Sequence, residues 1–311
     1  QFDKDVVDPA VQQEFYDRMK SISLRCSESM SEFASKIVER SVDLLCHQPP
    51  CDFEVIAIGS IARGEATPYS DLEYLFLIAQ KTPETMPFFE LLAFTTYFII
   101  GNLRETKLSY MAIEELRSWF EDESKNGFKI DGLLEGAGNI PTGNGSEAKK
   151  NHFIVTPQEL AERYREVLHN PDPAESVRGD LTAMLTYTKS LYIHNIGAIN
   201  GENGLREQFH ESILAIEPNE VRKAANMTML ATDAKKFNFV PSSDLCQKGF
   251  NADVKKELYR FPSILLLDIC VVLGINGVTS WNSLETLTEQ GHLSDDVSRT
   301  LKFLLAAATY I

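Results

Sequence analysis

The spacing of apolar residues at the start of the chain predicts one long helix over residues 8–46. Asp8 followed by Pro9 suits the cap and first position of a helix, where the missing N–H of proline costs nothing. The run His47-Gln48-Pro49-Pro50 ends this segment. The predicted apolar stripe comprises Phe15, Met19, Ile22, Leu24, Phe33, Ile37, Val38, Val42 and Leu45.

Two short apolar runs follow, separated by small, polar and turn-forming residues. Residues 53–58 have the pattern of a buried strand, and residues 71–78 form the second run. The intervening residues 59–70 carry one Arg and one Glu among their small residues. This arrangement predicts two neighbouring strands joined by a tight connection.

Two carboxylates stand at the start of the second run, at Asp71 and Glu73. Residues two apart in a strand point to the same face, so these side chains should lie together while Leu72 and Tyr74 face the other way. Adjacent carboxylates repel each other unless a cation lies between them. Hard oxygen ligands that leave room for phosphate suit Mg²⁺, and Mn²⁺ is the alternative. The competing interpretation is a solvated pair at a strand edge.

Gly59 and Ser60 lie between the first strand and a predicted short helix. Glycine lets a phosphate approach the backbone, and the Ser60 hydroxyl with the first helical N–H groups could hold its oxygens. A Gly-Ser pair by itself is an ordinary turn. Together with the carboxylates on the next strand, it indicates a combined phosphate and metal site.

Further along, residues 83–103 are predicted to be helical, and residues 107–111 and 113–120 read as a short strand and a helix. Residues 136–152 are rich in Gly, Asn and Ser and mark the best domain boundary. From residue 156 the pattern is helical, and a second long helix is predicted over residues 176–198. The predicted apolar face of helix 83–103 comprises Phe88, Leu91, Leu92, Phe94, Tyr97 and Ile99.

Composition narrows the possible functions of this 311-residue chain. A hydrophobic content of 43% allows a sizeable core, and a formal net charge of −15 argues against nucleic acid as the main partner. The five cysteines show no zinc-binding spacing, which favours a reduced, cytoplasmic protein. No apolar run reaches the length of a membrane span. Because the chain begins at Gln1 and stops within an apolar run, we expect it to be part of a longer multidomain protein.

The strand, the Gly-Ser pair and the D-x-E together resemble the signature of the polymerase-β-like nucleotidyltransferase superfamily. The loop is similar to one branch of it, which includes bacterial nucleotidyltransferases associated with CBS and cyclic-nucleotide-binding domains. The same branch includes the uridylyltransferases and adenylyltransferases of nitrogen-regulatory proteins. The residues that match its loop pattern are Gly59, Ser60, Arg63, Gly64, Glu65, Thr67, Ser70 and Asp71. This chain departs next, since Glu73 stands where the branch usually has a second Asp.

The resemblance implies further site residues. A third carboxylate on a neighbouring strand would be Asp131, acting as general base or metal ligand, with Glu135 as the alternative. Arg63 could contact a phosphate or a site carboxylate, or simply pair with Glu65. Lys255, before a C-terminal helix, could reach the phosphates or form a salt bridge at the helix start.

The predicted fold is α/β (α+β): a nucleotidyltransferase domain with a small mixed sheet, flanked by N-terminal helices and a C-terminal helical bundle. We expect an N-terminal helical region over 1–50, a catalytic domain over 51–150 and a helical substrate-binding domain over 151–311. The predicted activity is Mg²⁺-dependent transfer of a nucleoside monophosphate from a nucleoside triphosphate to a protein or small-molecule acceptor, with release of pyrophosphate. Two alternatives stay open: a catalytically weak nucleotide-binding regulatory module, and a helical protein-interaction scaffold.

Overall fold

The structure is a computed structural model. It describes residues 8–68, 70, 72–103, 154–169, 187–195, 204–216, 223–224, 227–228, 231, 260–275 and 279–310. The chain divides into two compact units. One comprises residues 26–218, and the other comprises residues 1–25 together with 219–311.

The first helix, α1, spans Pro9–Leu45, as the apolar spacing predicts. Asp8 caps it, because its Oδ1 accepts a hydrogen bond from the Ala10 N–H at 2.9 Å. The helix belongs to both units, with the division after Arg25. The predicted stripe is only partly right: Met19, Ile37 and Val38 are buried, whereas Ile22 and Phe33 are exposed.

The unit of residues 26–218 contains a four-stranded sheet and most of the site residues predicted from the sequence. Its remaining elements are β1 (Phe53–Ala57), α2 (Gly59–Arg63), β2 (Tyr74–Ile78), α3 (Met86–Asn102), β3 (Ile154–Val155), α4 (Pro157–His169), β4 (Lys189–His194) and α5 (Leu205–Ile216). The strand order is β3-β2-β1-β4. β1 is antiparallel to β2 and β4, and β2 is parallel to β3. The predicted α/β class with a small mixed sheet is confirmed.

Both faces of the sheet are covered, which explains why β1 and β2 are buried along their whole length and, apart from Glu54, apolar. On one face, Val55 and Phe76 pack with α1 and α3 through residues such as Ile37 and Phe89. The other face packs on α4 and α5; its buried cluster is Ile56, Ile58, Leu75, Leu77, Val155, Leu160, Ala161, Tyr164, Leu205, Phe209 and Ile213. The α4 helix begins with a capping box, in which the Thr156 N–H donates to Glu159 Oε2 and the Glu159 N–H donates to Thr156 Oγ1.

The prediction of a helix over residues 176–198 is wrong for residues 187–195, which the structure describes. Residues 189–194 form the strand β4, which pairs with β1 from Ala57↔Lys189 to Phe53↔His194. The free edge of β1 supplies backbone partners, and this tertiary contact overrides the helical signal. Residues 170–186 lie outside the described ranges.

The predicted helix 83–103 is confirmed as α3, but the face that it buries differs from the predicted apolar face. Phe89, Ala93 and Ile100 are fully buried together with Leu92 and Tyr97. Leu91 and Phe94, which we predicted to be in the core, are 51% and 47% exposed. The helix is apolar nearly all round, so spacing alone does not select the face that packs on the sheet.

The second unit contains three C-terminal helices and the start of α1. The helices are α6 (Arg260–Leu273), α7 (Ser280–Glu289) and α8 (Asp295–Tyr310). Their core surrounds the fully buried Trp281, whose ring meets Tyr16 edge-on at 5.4 Å. None of the helices in the described part of the chain is long and apolar enough to cross a membrane. The domain boundaries proposed from the sequence stay a prediction.

Candidate active site

The site predicted from the sequence begins where β1 ends. After the extended Ile58, Gly59 has a φ of +68° and opens the short helix α2. Gly64 closes this helix with a φ of +72°, and its N–H donates to the Ile61 carbonyl at 3.2 Å. Both angles lie in the left-handed region that glycine occupies without strain, so these two residues define the turn between β1 and the loop.

Glu73 lies directly against Gly59. The Ile58 N–H donates to the Glu73 carbonyl at 3.0 Å, which continues the β1–β2 ladder by one residue. A Cβ placed on Gly59 would come within 2.6 Å of the Glu73 Cδ and would overlap its Oε2. Only glycine leaves room for this carboxylate at the end of β1.

The alternation predicted around the carboxylates is confirmed in part. Leu72 and Tyr74 are buried in the cluster that faces α1 and α3. Glu73 stands between them and is partly exposed, although β2 begins only at Tyr74. Asp71 lies outside the described residues, so its position beside Glu73 stays a prediction.

The loop after α2 is held by buried polar contacts. The Nε of Arg63 lies 3.0 Å from Oε2 of Glu65, whose side chain is completely buried. The Ala66 N–H donates to the Ser27 hydroxyl of α1 at 3.1 Å. Arg63 therefore makes the contact with Glu65 that is one of the two expected for it, and the buried Glu65 stabilises the loop.

The end of the same loop is closed by two hydrogen bonds between Thr67 and Ser70. The Thr67 N–H donates to the Ser70 hydroxyl at 2.8 Å, and the Ser70 N–H donates to the Thr67 carbonyl at 3.0 Å. The threonine and serine of the loop pattern thus form a turn that precedes Glu73 and β2 in the chain.

Ser60 is more exposed to solvent than the residues on either side of it. It is half-exposed at the start of α2, between the buried Gly59 and Ile61. The side chain of the preceding Ile58 provides no cap for this helix. A hydroxyl in this position is accessible to a ligand that lies over the β1–α2 turn.

The chemistry of these residues fits a divalent cation as far as they are described. Glu73 supplies hard carboxylate oxygens, and the absence of a Cβ at Gly59 makes the room that Oε2 occupies. Within the ranges that the structure describes, no group of three His, Cys, Asp or Glu side chains comes together. Asp131, its alternative Glu135, and Lys255 lie outside those ranges, so the structure does not place them.

Sequence reasoning missed a polar pair at the same end of the sheet. Thr188 immediately precedes β4, and its Oγ1 lies 2.9 Å from Nε2 of His210 on α5. Because residues 176–198 were predicted to be helical, Thr188 was not placed on the sheet. The run Lys-Ser-Leu-Tyr-Ile-His, with its β-branched and aromatic residues, was the signal that could have indicated a strand.

A second polar group that the sequence did not predict is the buried Glu54 of β1. It accepts hydrogen bonds from the Ser190 hydroxyl and, at 2.9 Å, from the Arg206 N–H at the start of α5. A carboxylate at a helix N-terminus stabilises that helix. Glu54 therefore attaches α5 to the sheet, and this contact fixes the part of α5 that carries His210.

A small mixed sheet flanked by helices, with a glycine turn after one strand and a carboxylate before the neighbouring strand, is consistent with a nucleotidyltransferase-like fold. Comparison with known families agrees: residues 10–103 match the family described as "Putative nucleotidyltransferase DUF294". This range includes the loop from Gly59 to Ser70 and both expected carboxylates of the D-x-E. The match supports a nucleotidyltransferase family, whereas the branch with CBS domains and uridylyltransferases stays a prediction. No curated protein matches the chain.

Proposed function

We propose that this chain is a Mg²⁺-dependent nucleotidyltransferase. It transfers a nucleoside monophosphate from a nucleoside triphosphate to an acceptor, which is a protein or a small molecule, and releases pyrophosphate. The observation that carries the proposal is the packing of the Glu73 carboxylate on Gly59. This contact joins the predicted phosphate-binding turn and the predicted metal-binding strand in one place.

On the phosphate side, Ser60 and the backbone of Gly59 would hold the oxygens of the triphosphate. The partial exposure of Ser60 leaves its hydroxyl accessible for this role. Lys255 would add a positive charge, and Arg63 would contribute only if it keeps its contact with the buried Glu65. Breaking that contact would be costly because the Glu65 carboxylate is buried.

On the carboxylate side, Asp71, Glu73 and Asp131 would hold the metal. When bound, Mg²⁺ supplies positive charge that stabilises the oxygens entering and leaving the α-phosphorus. The hydrogen bonds of Ala66 and Thr67 hold the loop that leads from α2 toward Glu73, and Asp71 would act from the same stretch of the chain. Asp131 would also be the group that accepts the proton of an external acceptor hydroxyl.

The proposal is tested by thermal denaturation with each of the four ribonucleoside triphosphates, with and without Mg²⁺. A ligand that binds only the folded state raises the melting temperature. We expect a Mg²⁺-dependent increase for at least one nucleotide, which is lost in Asp71→Ala. Pyrophosphate release is then measured with that nucleotide.

The other outcomes distinguish the two alternatives. Binding without pyrophosphate release would identify a nucleotide-binding regulatory module, in which the Glu in place of the usual Asp has removed turnover. The absence of any shift with every nucleotide would favour the interaction scaffold and would reject the proposal.

A further inference from the structure

Thr188 lies in the same row of the sheet as Glu73. Lys189, Ala57 and Tyr74 are paired across β4, β1 and β2. The next row therefore consists of Thr188, Ile58 and Glu73, and the hydrogen bond from the Ile58 N–H to the Glu73 carbonyl confirms one half of it. Two strand spacings separate Thr188 from Glu73, about 10 Å between backbones.

The two side chains point to the same face of the sheet. Ile58 packs on Phe209 of α5, and Thr188 makes its hydrogen bond to the neighbouring residue of that helix, His210. Glu73 points away from the face that buries Leu72 and Tyr74, which is the face of α1 and α3. A nucleotide phosphate at the β1–α2 turn, beyond the buried Ile58, would therefore have Glu73 on one side and Thr188 on the other.

The Thr188 hydroxyl is paired with a base. Its Oγ1 lies 2.9 Å from Nε2 of His210, within the range expected for a hydroxyl nucleophile and its activating imidazole. Arg206, one turn earlier on α5, donates from Nη1 to the Thr188 carbonyl at 3.3 Å and fixes the backbone. Its guanidinium also pairs with Glu207. Thr188 itself is half-buried, so part of the residue is exposed to solvent.

His210 has the properties of a proton acceptor. Burial, followed by the charge of Arg206, lowers its pKa below the ordinary value, while Glu207 opposes this shift. The imidazole is therefore neutral at physiological pH. With its own proton on Nδ1, it presents the Nε2 lone pair to the threonine hydroxyl.

We propose that Thr188 is an internal acceptor of the transfer reaction, activated by His210, so that the chain nucleotidylates itself. This inference rests on the proposed function and names its acceptor. The Thr188 Oγ1 attacks the α-phosphorus of a nucleoside triphosphate and forms a P–O bond. The bond between the α-phosphorus and the oxygen bridging to the β-phosphate breaks, and pyrophosphate leaves with the electron pair. The hydroxyl proton passes to Nε2 of His210.

The test is intact-mass spectrometry of the full chain after incubation with each ribonucleoside triphosphate and Mg²⁺, followed by peptide mapping. We expect the mass of one nucleoside monophosphate to be added at residue 188. Thr188→Val should abolish the addition, Thr188→Ser should keep it, and His210→Gln should slow it by about 100-fold or more. Thr300→Val, which changes an exposed threonine of α8, is the matched control and should be labelled like the wild type.

A measurement without nucleotide tests the Thr–His contact by itself. The ring resonances of His210 in the NMR spectrum should shift in Thr188→Val and remain close to wild type in Thr188→Ser. Unchanged resonances in Thr188→Val would contradict the hydrogen bond on which the inference depends.

The outcomes separate this inference from the proposed function. Pyrophosphate release without covalent addition, or addition at another residue, would overturn the internal acceptor and leave the transferase activity in place. Full labelling of His210→Gln would overturn the role of His210 as base. If the wild type released no pyrophosphate and took up no nucleotide, both proposals would fall together.

Discussion

The carboxylate of Glu73 lies against Gly59, in the space that a Cβ at position 59 would occupy. A side chain at position 59 is therefore incompatible with this position of the carboxylate. The contact connects the end of β1 to the residue before β2. The sequence predicts that Gly59 is a phosphate-binding position. In this structure, the same glycine also creates the space for a carboxylate with a longer arm than the usual aspartate.

The first prediction concerns Gly59→Ala. We expect it to lower the free energy of unfolding by more than Gly291→Ala does, measured by urea denaturation. Gly291 also has a positive φ, but a Cβ there meets nothing within 4 Å, so its replacement costs only the backbone strain of about 1–2 kcal/mol. The additional loss at Gly59 comes from overlap with Glu73. Equal losses in the two variants would show that Glu73 moves away at no cost.

The second prediction concerns the carboxylate itself. Glu73→Gln keeps the shape of the side chain and removes its charge, so we expect the melting temperature without ligand to stay close to wild type. The Mg²⁺-dependent increase caused by nucleotide should disappear. Glu32→Gln, an exposed glutamate of α1, is the control and should leave that increase unchanged. A full response in Glu73→Gln would remove Glu73 from the metal site.

The third prediction concerns Arg63 and Glu65. Their side chains are 13% and 0% exposed, and removing one member leaves the other charge buried without its partner. We expect Arg63→Met to destabilise the protein by about 3–5 kcal/mol in urea denaturation. Arg63→Met combined with Glu65→Leu should recover part of this loss.

The double variant also tests the proposed nucleotide contact of Arg63. If Arg63 binds phosphate, the double variant should regain stability while nucleotide affinity, measured by calorimetry, stays reduced. Recovery of both properties would assign Arg63 a structural role alone.

The fourth prediction concerns pH. Burial lowers the pKa of His210 in the folded protein, so the unfolded state binds a proton more readily. Stability contributed by the neutral ring is complete above the unfolded pKa of about 6.5 and is lost as the pH falls below it. We expect urea midpoints of the wild type to decrease from pH 7 to pH 5, and those of His210→Gln to decrease less. His47→Gln, an exposed histidine, should follow the wild type.

Much of the fold could be predicted because its signals are local. The cap at Asp8 and the capping box at Thr156 each depend on residues within one turn, and both are present. β1 and β2 were recognisable as short apolar runs between turn-forming residues. The loop between them could be recognised because its glycines adopt the backbone angles of the turn and its polar residues form the hydrogen bonds that hold it.

Other features depend on contacts far apart in the sequence, and local patterns did not reveal them. β4 exists because the edge of β1 accepts it, and α3 buries Phe89 and Ala93 because the sheet meets that side of an almost uniformly apolar helix. The pairing of Thr188 with His210 requires both β4 and α5 to be in place.

The sequence by itself determined the α/β class, the long first helix, and the turn at Gly59 and Ser60 between two short apolar strands. These features follow from residue spacing and from the backbone conformations that glycine and proline favour. Only the tertiary structure decided that Glu73 lies on Gly59, that Arg63 pairs with the buried Glu65, and that Thr188 meets His210 in the row of Glu73. Those contacts arise from the register of strands and the packing of helices, which no stretch of sequence specifies alone.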